Sequence, residues 1–189
     1  TREAVRPLGR ARLHLGSVRV HTQVVAYQKK ALGSRQVLDT VWLELPSVSY
    51  ETAAVWMGIP ERTAAAARID PVDLPGTLHA AEHAGIALLP LRAVCDRWDL
   101  GGLSTAFHPE TGGPTIFIHE AYPGGAGISE IAFDTAEDHW LATVEAIRAC
   151  PCAHGCPSCV QSPKCGNFNE PLDKEGAVAL LDTLLADLR

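Results

Sequence analysis

The stretch CPCAHGCPSCVQSPKC, residues 150–165, holds five of the six cysteines in the chain and leaves only Cys95 outside. Its spacing, CxCx3Cx2Cx5C from Cys150, Cys152, Cys156, Cys159 and Cys165, is compatible with disulfide staples, a redox pair or a metal site. Staples are disfavoured first. A chain of 189 residues that is 47% hydrophobic can bury a core without cross-links. It contains no apolar run of the roughly twenty residues needed to span a membrane, and its start, TREAVRPLGR, carries no apolar segment of signal-peptide type. The reading is therefore cytoplasmic, with no membrane partner, and reducing compartments do not keep structural disulfides. A redox CxxC normally sits alone at a helix N-terminus, without three further thiols beside it.

Metal ligation remains. In CPSC the two-residue spacer lets Cys156 and Cys159 turn toward one ion, and Cys152 is a good third ligand. The fourth is Cys165, across the VQSPK loop, or alternatively Cys150; Cys165 is favoured because Pro151 stiffens the CxC unit. Zn(2+) suits four thiolates, and a closed set leaves no position for a reacting water. The predicted role is structural: a knuckle that holds the last helix on the body.

Around the cluster the pattern reads as α+β. The first sixty residues are rich in Val, Thr, Tyr and Trp between turn residues Gly16, Gly33, Ser34 and Pro46, which predicts four short, mostly antiparallel strands. Pro60 followed by ERTAAAARI opens a helix, and after a loop from Asp70 to Gly76, TLHAAEHAGIALL forms a second that ends near Pro90. CDRWDLGG reads as a loop and PTIFIHEAY as a strand. ISEIAFDTAEDHWLATVEAIRAC has helical spacing through Ile128, Ile131, Trp140, Val144 and Ile147. LDKEGAVALLDTLLADLR predicts an amphipathic helix capped by Asp173, with Ala177, Leu181, Leu184, Leu185 and Leu188 on its buried face. The expected organisation is an α/β body over 1–149, β-rich in its first sixty residues, and a zinc knuckle with a C-terminal helix over 150–189. Cys95 is expected as a small buried hydrophobe.

Two further motifs invite chemistry. HAAEH, residues 79–83, fits the HxxEH pattern in which two histidines hold zinc and the glutamate activates water, but no acidic third ligand is apparent, so a hydrogen-bonded helix face is the expected role. YPGGAGISE, residues 122–130, sets glycines between strand and helix without the GxxxxGK[ST] of a phosphate loop, which predicts a packing turn. Charge is polarised. Residues 1–36 carry Arg2, Arg6, Arg10, Arg12, Arg19, Lys29, Lys30 and Arg35 against Glu3, a net of +7, which leaves −13 for the rest of a chain whose total is −6. Such an arm suits nucleic acid through Arg10, Arg12, Arg19, Lys29 and Lys30, with Tyr27, Trp42 or Trp56 as stacking surfaces or core residues. The start at Thr1 rather than Met suggests a piece of a longer protein.

CPCAHGCPSCVQSPKCGNFNEPLDKEGAVALL, together with LHAAEHA, CDRWDLGG and IFIHEAYPGGAG, resembles the MrfA zinc-binding domain family, the C-terminal module of a group of superfamily-two DNA helicases. The resemblance covers most of the chain beyond the first forty residues. It implies a module without catalysis of its own, fused behind two RecA-like motor lobes of an ATP-dependent 3′–5′ helicase acting in DNA repair. Partners implied are those motor domains and single-stranded or forked DNA. By the same analogy the zinc ligands are Cys152, Cys156, Cys159 and one of Cys150 or Cys165. An HxxEH zinc hydrolase and a zinc-stabilised protein-interaction scaffold are the competing readings.

Overall fold

The computed structural model describes residues 3–34 and 36–189, so Arg2 and Arg35 of the basic stretch lie outside the described residues. Antiparallel strands and helices make the chain an α+β protein. Strand β1 (Ala4–Leu8) turns at Gly9 into the long β2 (Ala11–Thr22), which pairs over its whole outer length with β5 (Val48–Gly58). The hairpin between them carries a separate ribbon, β3 (Ala26–Lys30) with β4 (Val37–Trp42). The first sixty residues thus hold five strands rather than four, and two of them are long. With β6 (Leu100–His108) and β7 (Gly113–Glu120) the main sheet has the order β1-β2-β5-β7-β6.

Helices cover one face of this sheet. Helix α1 (Glu61–Ala66) is a short turn after Pro60, and α2 (Leu74–Leu88) lies across β6 and β7. Its core side is built from Leu78, Ala80, Ala81 and Ala84, all fully buried, and alanines let a helix approach a sheet and a second helix layer closely. The predicted long helix over 128–150 is two helices, α3 (Ile128–Asp134) and α4 (Ala136–Ala149). Thr135 breaks it, its hydroxyl donating to the Ile131 carbonyl at 2.8 Å. The last helix, α5 (Lys174–Leu184), starts at Asp173 as predicted, whose carboxylate accepts from the Gly176 amide at 2.9 Å and from Thr77 Oγ1 at 2.9 Å. Ala177, Leu181, Leu184 and Leu185 are fully buried against α2 and α4.

The segment read as a loop, CDRWDLGG, ends in strand β6. Glycines 101 and 102 made it look irregular, yet both sit in the sheet because side chains cross their faces. A Cβ on Gly101 would lie 2.3 Å from the His119 ring, and one on Gly102 would lie 2.4 Å from Glu82 Oε1. One hydrophobic cluster runs from Leu8 to Leu185 and takes in Cys159 and Val160, so the two stretches on either side of residue 149 share a core. Cys95 is half-buried against it. Among the described residues no helix is long and apolar enough to cross a membrane.

Among the described residues no helix covers the opposite sheet face. Cross-strand register places His14, Trp56 and Phe117 in one row, with His14 and Trp56 stacked at 5.2 Å and Trp56 and Phe117 at 5.9 Å between ring centres. Arg12, His108 and His119 border this row.

Candidate metal centre

Helix α4 ends before Cys150, which caps it in an extended conformation and leads through Pro151 past the start of α5, where Lys174 contacts the carbonyls of Cys150 and Cys152. The turn that follows brings four sulfurs together: Cys150, Cys152, Cys156 and Cys159. Their contacts are 3.6 Å for Cys150 with Cys152, 3.5 Å for Cys150 with Cys156, 3.5 Å for Cys152 with Cys159 and 3.8 Å for Cys156 with Cys159. A tetrahedral ion with metal–sulfur bonds of about 2.3 Å requires sulfur–sulfur edges of about 3.8 Å. The cage fits such an ion, and none of the four is oxidised to a disulfide.

The surroundings favour a thiolate at Cys152. Lys174, the first residue of α5, is buried and directs its ammonium to the carbonyls of Cys150 at 2.7 Å and Cys152 at 2.5 Å, with Cys152 Sγ at 3.5 Å. The Cys156 amide donates to Cys159 Sγ at 3.3 Å. Burial opposes ionisation of Cys152, but hydrogen bonds from Cys159, Cys150 and Cys156 outweigh it and bring the thiol down to about 6. Burial pushes the Cys159 thiol up to about 12. Four ionised sulfurs packed this closely need a cation among them, and Lys174 alone supplies one charge.

Cys165, the favoured fourth ligand from spacing, lies outside this cage, and Cys150 takes its place. The reason is tertiary. The loop after Val160 does not fold back on the knuckle: Lys164 reaches the carbonyls of Arg97, at 2.8 Å, and Leu100, and carries Cys165 to α2. There Cys165 Sγ sits 3.4 Å from His79 Nε2, and His83 completes a group of three. The two histidines do share a helix face, their ring centres 4.2 Å apart. Burial holds the His83 imidazole neutral, its pKa pushed down to about 4. Glu82, the third element of the HxxEH pattern, is not in the group; it turns to Gly102 and Ser104 on β6, where burial raises its carboxyl to about 7. Among the described residues, Glu82 therefore faces β6 rather than the His79–His83–Cys165 group. No feature of the spacing alone joins Cys165 to His79, which is 86 positions away.

The glycine turn holds no open cradle. Its backbone amides at Ala126 and Ser129 already donate to the fully buried carboxylate of Glu120, to Ser129 at 2.8 Å. This buried side chain occupies the start of α3, so the turn packs strand on helix as the sequence suggested. The basic residues are spread over three places instead of forming an arm. Arg10 meets Asp187 at 3.4 Å, Arg19 meets Glu51 at 2.5 Å and Lys29 meets Asp39 at 3.4 Å. Lys30 lies 3.9 Å over the Phe168 ring, and Arg12 has no ion pair among the described residues. Trp42 and Tyr27 are exposed on the ribbon rather than in the core.

Residues 81–160 match the model of the MrfA Zn-binding domain, a span that includes the four clustered cysteines and stops before Cys165. The chain is similar to an uncharacterized protein of Methanocaldococcus jannaschii, at 37% identity over 115 residues that make up 58% of this chain and all of that protein. It is similar to the uncharacterized ATP-dependent helicase YprA of Bacillus subtilis, at 31% identity over 153 residues, 80% of this chain and 20% of that one. Among solved structures it is similar to the DUF1998 helicase MrfA bound to DNA, with a TM-score of 0.69 and 28% identity over 97% of this chain and 24% of MrfA. The chain thus spans the whole of one relative but no more than about a quarter of the two helicases. With a four-sulfur cage inside the matched span and a fold shared along nearly its full length, the chain belongs to the MrfA zinc-binding domain family.

Proposed function

We propose that this chain is the zinc-holding accessory domain of an ATP-dependent 3′–5′ DNA helicase of the cytoplasm, active in DNA repair. The closed cage of Cys150, Cys152, Cys156 and Cys159 carries the reading. Its donor set suits Zn(2+), and with all four positions taken by sulfur the ion would stabilise without reacting. It would fix the end of α4 to the start of α5 through Lys174. In this reading ATP hydrolysis belongs to motor lobes in the same parent chain, and the domain docks on them and helps to engage single-stranded or forked DNA. The ribbon of β3 and β4, with Val37, Leu38 and Trp42 exposed, is the surface we assign to the motor lobes.

For DNA, the bare sheet face is the stronger candidate because it joins a cation to stacking rings: Arg12, two residues before His14, borders the row of Trp56 and Phe117. Exposed ion pairs such as Arg19 with Glu51 contribute no more than about 1 kcal/mol, so phosphate can displace the carboxylate. Arg10, Arg19, Lys29 and Lys30 lie away from the row and add charge at a distance. Fluorescence anisotropy of the 189-residue chain with labelled single-stranded DNA tests the assignment. Weak binding that falls steeply with salt is expected, with a further loss of several-fold in Arg12→Glu and in Trp56→Ala. Unchanged binding in both variants, or ATP turnover by the chain alone, would overturn it.

A further inference from the structure

The geometry points to a second metal site of zinc class, formed by His79, His83 and Cys165 and separate from the four-sulfur cage. His79 and His83 stand one turn apart on α2. Each presents Nδ1 to a main-chain carbonyl at 2.8 Å, His79 to Pro171 and His83 to Val160. A carbonyl only accepts, so Nδ1 carries the proton on both rings and Nε2 is left as the lone pair. This outer bond from Nδ1–H to a backbone oxygen is the arrangement that orients histidines toward a metal.

The third donor is equally prepared. Ser162 and Asn169 clasp the loop at its two ends, through the Ser162 amide at 2.7 Å and the Asn169 side-chain amide at 3.1 Å. Lys164 anchors it to the carbonyls of Arg97 and Leu100. The Asn169 backbone amide donates to Cys165 Sγ at 3.3 Å, which fixes the position of the sulfur. Around a tetrahedral zinc-class ion a nitrogen and a sulfur stand about 3.6 Å apart. His79 Nε2 and Cys165 Sγ are 3.4 Å apart, and one ligand atom from each of the three residues lies within 4.8 Å of the other two.

One thiolate and two imidazoles suit a borderline metal and not calcium or magnesium, which take oxygen ligands. His83 is buried while His79 and Cys165 are half-exposed, so the fourth position faces solvent and takes water or an outside donor. The ion would pin the loop of residues 161–172 to α2. It is also coupled to the cage through one peptide step, because the Val160 carbonyl that holds His83 follows cage residue Cys159.

Metal content of the 189-residue chain decides the matter. The reduced protein is loaded with excess zinc, passed over a desalting column and measured by mass spectrometry. Two ions per chain are expected in the wild type, one in Cys165→Ser and in His83→Gln, and one in Cys152→Ser, which keeps the histidine site. Cobalt(II) titration gives a second readout that does not depend on tight retention. Cys152→Ser should keep a tetrahedral cobalt spectrum with thiolate charge transfer, and Cys152→Ser combined with Cys165→Ser should lose it. One ion in the wild type, retained in Cys165→Ser, overturns the proposal and leaves the cage intact. Loss of the cage ion alone would instead count against the accessory-domain reading and leave this site standing.

Discussion

Among single residues, the buried histidine of α4 makes stability depend on pH. His139 is 3% exposed, and its Nε2 has no hydrogen-bond partner among the described residues. Burial, with a smaller contribution from Arg92, lowers its pKa from 6.5 to about 4. A folded-state pKa below the unfolded one means that acid favours unfolding: the unfolded chain takes up a proton near pH 6.5 that the folded chain refuses until about pH 4. Stability should be complete above that window and decline through it, by up to about 3 kcal/mol from this group. His139→Gln should flatten the decline, read as a shallower pH dependence of urea unfolding. A variant profile parallel to wild type would show that His139 is not the source. At the same scale, Cys156, Cys159 and Cys152 were legible as a metal set because they lie within eight positions, whereas the choice between Cys150 and Cys165 was not. Spacing allows either, and only the anchoring of Lys164 on β6 removes Cys165 from the cage.

At the level of elements, caps and periodicity predicted well where the controlling contacts are local. Asp173, Ala177, Leu181, Leu184 and Leu185 fall where the pattern placed them, whereas Leu188 lies half-buried in a turn beyond the helix and buried Leu180 was not on the predicted face. Strand β6 escaped because Gly101 and Gly102 lower strand propensity, and the side chains that require them, His119 and Glu82, come from other elements. The start of α3 is a comparable case. Glu120 on β7 accepts the amides of Ala126 and Ser129, so the helix is capped by a strand residue rather than by its own N-cap, Gly127. Glu120→Gln turns one of two acceptors into a donor facing an N–H group. It should lower stability by about 2 kcal/mol, measured as a shift of the urea midpoint at constant slope. An unchanged midpoint would mean that the two amides find other acceptors.

For the whole molecule, the two ends of the chain close on each other. Gly9 turns β1 into β2 with φ of +53°, and the next amide, of Arg10, donates to the Leu184 carbonyl at the end of α5 at 2.8 Å. A Cβ at residue 9 would stand 2.1 Å from that carbonyl oxygen. Gly9→Ala should therefore destabilise by about 2–3 kcal/mol, combining the left-handed backbone penalty with loss of the bond. Hydrogen exchange should report lost protection at the Arg10 amide and along the last turn of α5; wild-type protection there would exclude this closure. What the sequence by itself determined was local: helix α5 with its Asp173 cap, the β-rich start, and a thiol cluster spaced for a tetrahedral ion, because each depends on neighbours a few residues apart. Tertiary structure decided which sulfur is fourth, gave Cys165 its histidine partners and Glu82 its place on the sheet. It also left the row of His14, Trp56 and Phe117 uncovered. Those outcomes rest on contacts between residues far apart in the chain, and no local spacing or propensity encodes them.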